Sequence, residues 1–236
     1  MKREESMKTT FFSGLTGNQL KIIALIAMTL DHAGLQIFPQ YPILRILGRL
    51  AFPIFAYMIA EGAKYTHNRL KYFLQMFGLG FLCQLVYFFV MDSLYQCILI
   101  TFSFSIVLIY SLDRAIQKNK ADAWLLFVLV FLATVFLVEV LPHLTYTDYS
   151  VDYGIWGVLM PVLVFAAPNK AAKLLISAVP LAFLALAYPG YQWVAFFSLI
   201  LLALYNGKRG KCKMKNLFYV YYPLHLVVIY GISILI

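Results

Sequence analysis

In MTLDHAGLQIF, residues 28 to 38, an aspartate and a histidine stand side by side within a run that is otherwise almost wholly apolar. An ionisable side chain at mid-bilayer costs several kcal/mol, roughly 3 to 10, so by default it faces the bundle interior and marks a site. A neutral imidazole accepts a proton from an amine or hydroxyl, which makes His32 the first candidate for a general base and His225, in YYPLHLVV, the second. Arg49, in GRLAFPIFA, suits a carboxylate, a phosphate or a developing oxyanion. Neighbouring helical residues project about 100° apart, so Asp31 is poorly placed to orient His32, and each needs its own partner.

Counting about 1.5 Å per residue from the inner anchors Lys21 and Lys215 puts Asp31, His32 and His225 at a common depth of roughly 15 Å. The histidines of the first and last spans can therefore meet. Arg45 and Arg49, four apart on one face of the second span, fall slightly outside that level. Pro53 cannot donate to the carbonyl of Arg49, nor Pro223 to that of Tyr219, so both helices should kink beside these polar residues.

Structural readings stand beside the chemical ones. Asp31 and Arg49 also read as a buried ion pair locking two helices, His225 as a hydrogen-bonded core histidine, and Glu61 as an interfacial partner of Lys64 three residues on. Asp148 and Asp152, in TDYSVDYG, read as a solvated outer loop, and two carboxylates without a third ligand predict no metal site. Cys83, Cys97 and Cys212 form no CxxC pair and read as packing or surface residues.

The elements that must position these groups are membrane helices. Of 236 residues 63% are hydrophobic and 12% charged, and the mean hydropathy is +0.82, far from a soluble domain. Apolar runs occupy about 21–38, 43–62, 70–91, 94–112, 122–141, 152–167, 171–188, 191–206 and 216–236, giving an all-α polytopic bundle of about nine transmembrane helices, eight to ten. The net charge of +9 follows topology. With a cytoplasmic N-terminus, only Arg45 and Arg49 of the 19 basic residues fall off the cytoplasmic side, and a nucleic-acid partner is unnecessary. Residues 1–18 read as a polar cytoplasmic segment without a removable signal peptide, and residues 19–236 as one transmembrane domain without an internal repeat.

Four blocks, LTGNQLKIIALIAMTLDHAG, LRILGRLAFPIFAYMIAEG, VDYGIWGVLM and LYNGKRGKCKMKNLFYVYYPLHLVVIYG, resemble in order the TraX family of bacterial membrane proteins, from about residue 15 to the C-terminus. The third and fourth helices, with YQCILITFSFS, fit more loosely. The resemblance implies acyl transfer: members from conjugative plasmids N-acetylate the terminal amine of pilin, and a looser kinship runs to multi-span acyltransferases that use cytoplasmic acetyl-CoA and an early histidine. It implies catalytic roles for His32, Asp31, Arg49 and His225, with His32 as base or acyl carrier, and substrate binding by Glu61, Asp152 and Tyr222. Acetyl-CoA, the donor, would reach His32 from the cytoplasm, its phosphates near Lys64, Arg69, Lys208 and Arg209. The expected setting is a bacterial inner membrane, with the bilayer as partner, a homodimer compatible, and the acceptor open among a pilin-like peptide, a lipid, a glycan and a small amine. The alternative is a proton-coupled transporter or flippase using Asp31, His32 and Arg49 as a relay.

Overall fold

The computed structural model describes residues 14–211 and 214–235. Most of the polar N-terminal segment and Cys212 lie outside the described residues. Among the described residues eleven α-helices follow one another: α1 (Gly17–Gln36), α2 (Pro42–Gly48), α3 (Ala51–Tyr65), α4 (Arg69–Met91), α5 (Ile98–Lys118), α6 (Ala121–Val135), α7 (Leu141–Thr145), α8 (Gly154–Ala166), α9 (Lys170–Ala187), α10 (Ser198–Ala203) and α11 (Lys215–Leu235). A π turn, Phe136–Val140, joins α6 to α7, and a 3-10 segment, Tyr191–Phe197, leads into α10. Among the described residues there is no strand, only two isolated bridges.

Among the described residues six stretches are long and apolar enough to cross a membrane: Pro42–Tyr65, Arg69–Met91, Ile98–Lys118, Ala121–Thr145, Lys170–Ala187 and Leu217–Leu235. The protein is an integral membrane protein of all-helical architecture. α1 has the length of a span, but Asn18, Gln19, Lys21, Asp31 and His32 dilute its apolar character, and the helical stretches Gly154–Ala166 and Tyr191–Ala203 are shorter. Six apolar spans, α1 and these two short stretches make up the nine expected units, with shifted boundaries.

Local chemistry sets those boundaries. Thr16 and Gln19 form a capping box at the start of α1, and the side chains of Asn68 and Asn169 accept the Lys71 and Ala172 amides that open α4 and α9. The second span breaks between α2 and α3, where the Arg49 and Leu50 amides reach back only three residues, to Ile46 (3.2 Å) and Leu47 (3.3 Å). Pro53 lies one turn on, and its missing N–H leaves the Arg49 carbonyl without its helical donor.

Buried most deeply are α3 and α5, whereas α4, α6 and α11 turn most of their surface outward. The largest buried cluster joins Leu25 and Met28 of α1, Phe52 and Ile59 of α3, Phe102 and Ile106 of α5, Met160 of α8 and Leu181 of α9. Lipid tails are as apolar as these side chains, so the helices associate through close packing and polar bonds more than through expulsion of water. Ser105 supplies one such bond, from its Oγ to the Val158 carbonyl of α8 (2.8 Å). Gly48 supplies the closest approach: a Cβ there would lie 2.3 Å from Asp31 Cβ, so α2 can lie against α1 only because the residue is glycine.

Candidate active site

His32 on α1 and His225 on α11 meet, His32 Nδ1 lying 2.8 Å from His225 Nε2, with the ring centroids 5.0 Å apart. His225 Nδ1 lies 3.0 Å from the Tyr221 carbonyl oxygen. That oxygen can only accept, so His225 Nδ1 carries hydrogen. In a neutral ring this leaves His225 Nε2 as an acceptor, so His32 Nδ1 must donate to it. The network thereby assigns the tautomer of His32: its Nε2 is unprotonated and holds a free lone pair. Tyr221 is itself fixed, its hydroxyl 2.7 Å from Thr29 Oγ1, which in turn donates to the Leu25 carbonyl.

Asp31 turns the other way, as the angular offset requires. Its Oδ1 accepts from Arg49 Nη2 at 2.6 Å and its Oδ2 from Arg45 Nη1 at 3.3 Å. Arg49 also donates from Nε to the Arg45 carbonyl (3.3 Å) and from Nη1 to Gln192 Oε1 (3.4 Å). Gln192 is 4% exposed, and its Nε2 amide has no hydrogen-bond partner.

His32, Asp31, Arg45, Arg49 and Gln192 line one cavity of about 1070 Å³. Its walls are the C-terminal halves of α1, α4 and α11, the residues around the α2–α3 break, the start of α5, and the connections at 150–153 and 188–192. Tyr222 lines it too, edge-on to His225 with centroids 5.5 Å apart. Cys83 and Cys97 both line the wall, and Cys97 Sγ lies 3.9 Å from the Gly80 carbonyl oxygen.

Asp152 is no freely solvated loop residue. It lines the cavity, with Tyr95 Oη donating to Oδ1 at 2.6 Å, while its backbone pairs with Gln96. Burial pushes its carboxyl up to about 6, against the lowering effects of the Tyr95 hydrogen bond and of Arg49. Asp148, by contrast, is exposed and accepts from the Ser93 hydroxyl and the Leu94 amide.

A model of the TraX family, described as "TraX protein", matches residues 16–233, a stretch holding every residue of this site. The chain belongs to the TraX family. It is 25% identical over 232 residues to "Probable fimbrial assembly protein FimC, serogroup H1" of Dichelobacter nodosus, a match covering 89% of this chain and 93% of that protein. A second similarity, 53% over 38 residues, is to "Uncharacterized protein RP591" of Rickettsia prowazekii (strain Madrid E), covering 16% of this chain and 15% of that one. No solved structure matches.

Of the residues the TraX resemblance singles out, His32, Asp31, Arg49, Asp152 and Tyr222 share the cavity, and His225 is joined to it through its bond to His32. Glu61 does not. It is buried against Lys173 in a short ion pair, not paired with Lys64, and Lys173 Nζ also stands 5.5 Å over the Tyr57 ring. Lys64, Arg69, Lys208 and Arg209 are also away from the cavity, and Arg69 pairs with Asp113 at 2.5 Å. On that side of His32, Lys21 Nζ stands 5.3 Å over the Phe218 ring and Thr29 bonds Tyr221. Gln192 escaped the sequence reading because YPGYQWV reads as a turn with aromatic anchors, and nothing in that pattern marks an inward amide.

Proposed function

We propose that this TraX protein is a membrane acyltransferase that moves an acetyl or related acyl group from a coenzyme A thioester to an amine or hydroxyl acceptor. The observation that carries this reading is the relay from His32 through His225 to the Tyr221 carbonyl, which presents an unprotonated His32 Nε2 at a cavity also lined by two arginines. Family membership and a full-length relative named for fimbrial assembly agree with modification of a surface component.

In the proposed reaction His32 Nε2 removes the proton of the acceptor N–H or O–H as its lone pair attacks the thioester carbonyl. The tetrahedral oxyanion that forms then collapses and breaks the C–S bond. The departing thiolate takes the proton from His32. An acyl-His32 intermediate uses the same nitrogen. A thioester is already activated, so holding the reactants together supplies most of the acceleration, up to about 7–11 kcal/mol. Under an orientation with the N-terminus in the cytoplasm of a bacterial inner membrane, the acyl arm would pass between α1 and α11, where Phe218 and Tyr221 must open.

The test uses protein in nanodiscs with acetyl-CoA and extracts of its own cells, following free coenzyme A thiol and acetylated products by mass spectrometry. Turnover that disappears in His32→Ala, with folding retained, supports the reading and reveals the acceptor. No donor consumption with any extract overturns it, and proton-linked uptake into proteoliposomes without donor would establish a transport relay instead.

A further inference from the structure

The cavity has a polar end and an apolar end. At the polar end Asp31 faces two guanidiniums, Arg45 uses a single N–H on it and keeps 30% of its side chain exposed, and Gln192 Nε2 is a buried donor without an acceptor. Asp152, the other carboxylate of the wall, is held by Tyr95. Unmatched donors of this kind call for an acidic ligand group, since a buried amide N–H left unpaired costs about 1–3 kcal/mol.

At the apolar end Val86 and Val90 of α4 face Leu226, Val227 and Gly231 of α11. Val86, Val90 and Val227 line the cavity and are also 48%, 52% and 60% exposed, so one mouth lies between these two helices, while the exposed Leu35, Tyr188 and Tyr191 mark a second opening beside the 188–192 connection. Both helices are apolar spans, and the principal packing partner of α11 is α1, not α4. The mouth between the two apolar spans therefore faces sideways, toward the hydrocarbon layer. At about 1070 Å³ the volume suits one headgroup and a chain. It would hold only about two to three turns of a helix some 10 Å across.

Resting on the acyltransferase reading, we propose that the acceptor reaches this cavity from the bilayer as a membrane amphiphile. Its acidic headgroup lies on Arg45, Arg49 and Gln192, and its aliphatic chain leaves between α4 and α11.

The experiment needs no acyl donor, so its failure is separable from failure of the acyltransferase reading. Protein in phosphatidylcholine nanodiscs receives a trace of phosphatidic acid carrying a diazirine in its chain, and photolabelled peptides are mapped by mass spectrometry. Labelling should concentrate on residues 86–91 and 226–231 and be competed by unlabelled phosphatidic acid but not by added phosphatidylcholine. Two variants should each lower it about five-fold or more with folding intact. Gln192→Leu removes the unpartnered amide, and Gly231→Phe fills the mouth at a position where a Cβ meets nothing within 4 Å. Labelling spread over the outer surface, or equal with a phosphatidylcholine probe, overturns the proposal. Competition by inorganic phosphate or by a carboxylate-bearing apolar peptide, with none by phosphatidic acid, also overturns it in favour of a water-borne anion or a protein acceptor.

Discussion

Two charged clusters lie inside the helical bundle, and they are built for different ends. Asp31 divides its two oxygens between Arg45 and Arg49, all three line the cavity, and one of the arginines holds the half-satisfied Gln192. Glu61 and Lys173 pair one to one, with side chains 11% and 10% exposed, and neither reaches the cavity. Burial of charge alone therefore does not mark a site. The surplus of donors and the open space beside them set the first cluster apart, while the second is closed on itself and ties α3 to α9.

Removing the base should have the largest effect. In the proposed chemistry His32→Ala lowers turnover by about 10²–10⁴-fold, the usual worth of a general base, with the unfolding transition nearly unchanged. The opposite pattern is expected of the closed pair. Lys173→Met strands the Glu61 carboxylate and should cost about 3–5 kcal/mol of stability in mixed-micelle denaturation, with activity per folded molecule retained. The double variant Glu61→Leu/Lys173→Met should recover most of that loss, because an apolar pair of similar volume replaces a buried ion pair at little net cost. Loss of activity in the well-folded double variant would break the contrast and return Glu61 to the site.

Gly48 sharpens the comparison from the packing side. Its position allows Asp31 to lie against the α2–α3 break, and a Cβ would meet Asp31 Oδ1 at 2.5 Å. Gly48→Ala should therefore cost about 1–3 kcal/mol, as overpacking does. It should also depress activity beyond what the remaining folded fraction explains, because Asp31 and Arg49 are pushed apart. Thermal shift and turnover measured on one preparation separate the two effects.

Much of the cavity cluster was legible because the bilayer makes polar residues conspicuous. Helical rise alone brings His32 and His225 to one depth, and they meet; the four-residue spacing of Arg45 and Arg49 puts both on Asp31. Pro53 announced the break between α2 and α3. What stayed hidden depended on tertiary neighbours. Lys173 sits near the start of α9, where a lysine reads as an interfacial anchor, so its pairing with Glu61 leaves no local trace. Asp152 follows a polar loop, and the Gln96 bridge, Tyr95 and the Thr101 hydroxyl draw it against the cavity. Hydropathy also says nothing of which half of a bundle is hollow, and so the contact of Lys21 with Phe218 could not be foreseen.

Asp148 offers the control that neither buried cluster can. It is a carboxylate at the surface, with the Ser93 hydroxyl at 2.5 Å and the Leu94 amide at 3.1 Å, and these hydrogen bonds hold its carboxyl below the ordinary value of 3.8. A carboxyl with a lowered folded-state value stabilises the fold above its unfolded-state value and loses that contribution as pH falls through the folded one. Asp148→Asn should therefore lower the melting temperature slightly near pH 6, and the gap to wild type should close below pH 3.8. The effect should be the smallest of the four because solvent screens a charge that no helix buries. A gap as wide as that of Lys173→Met, or one that persists at low pH, would show that the 146–153 connection anchors the cavity wall through more than this carboxylate, and would move Asp148 from the surface class into the cavity's own framework.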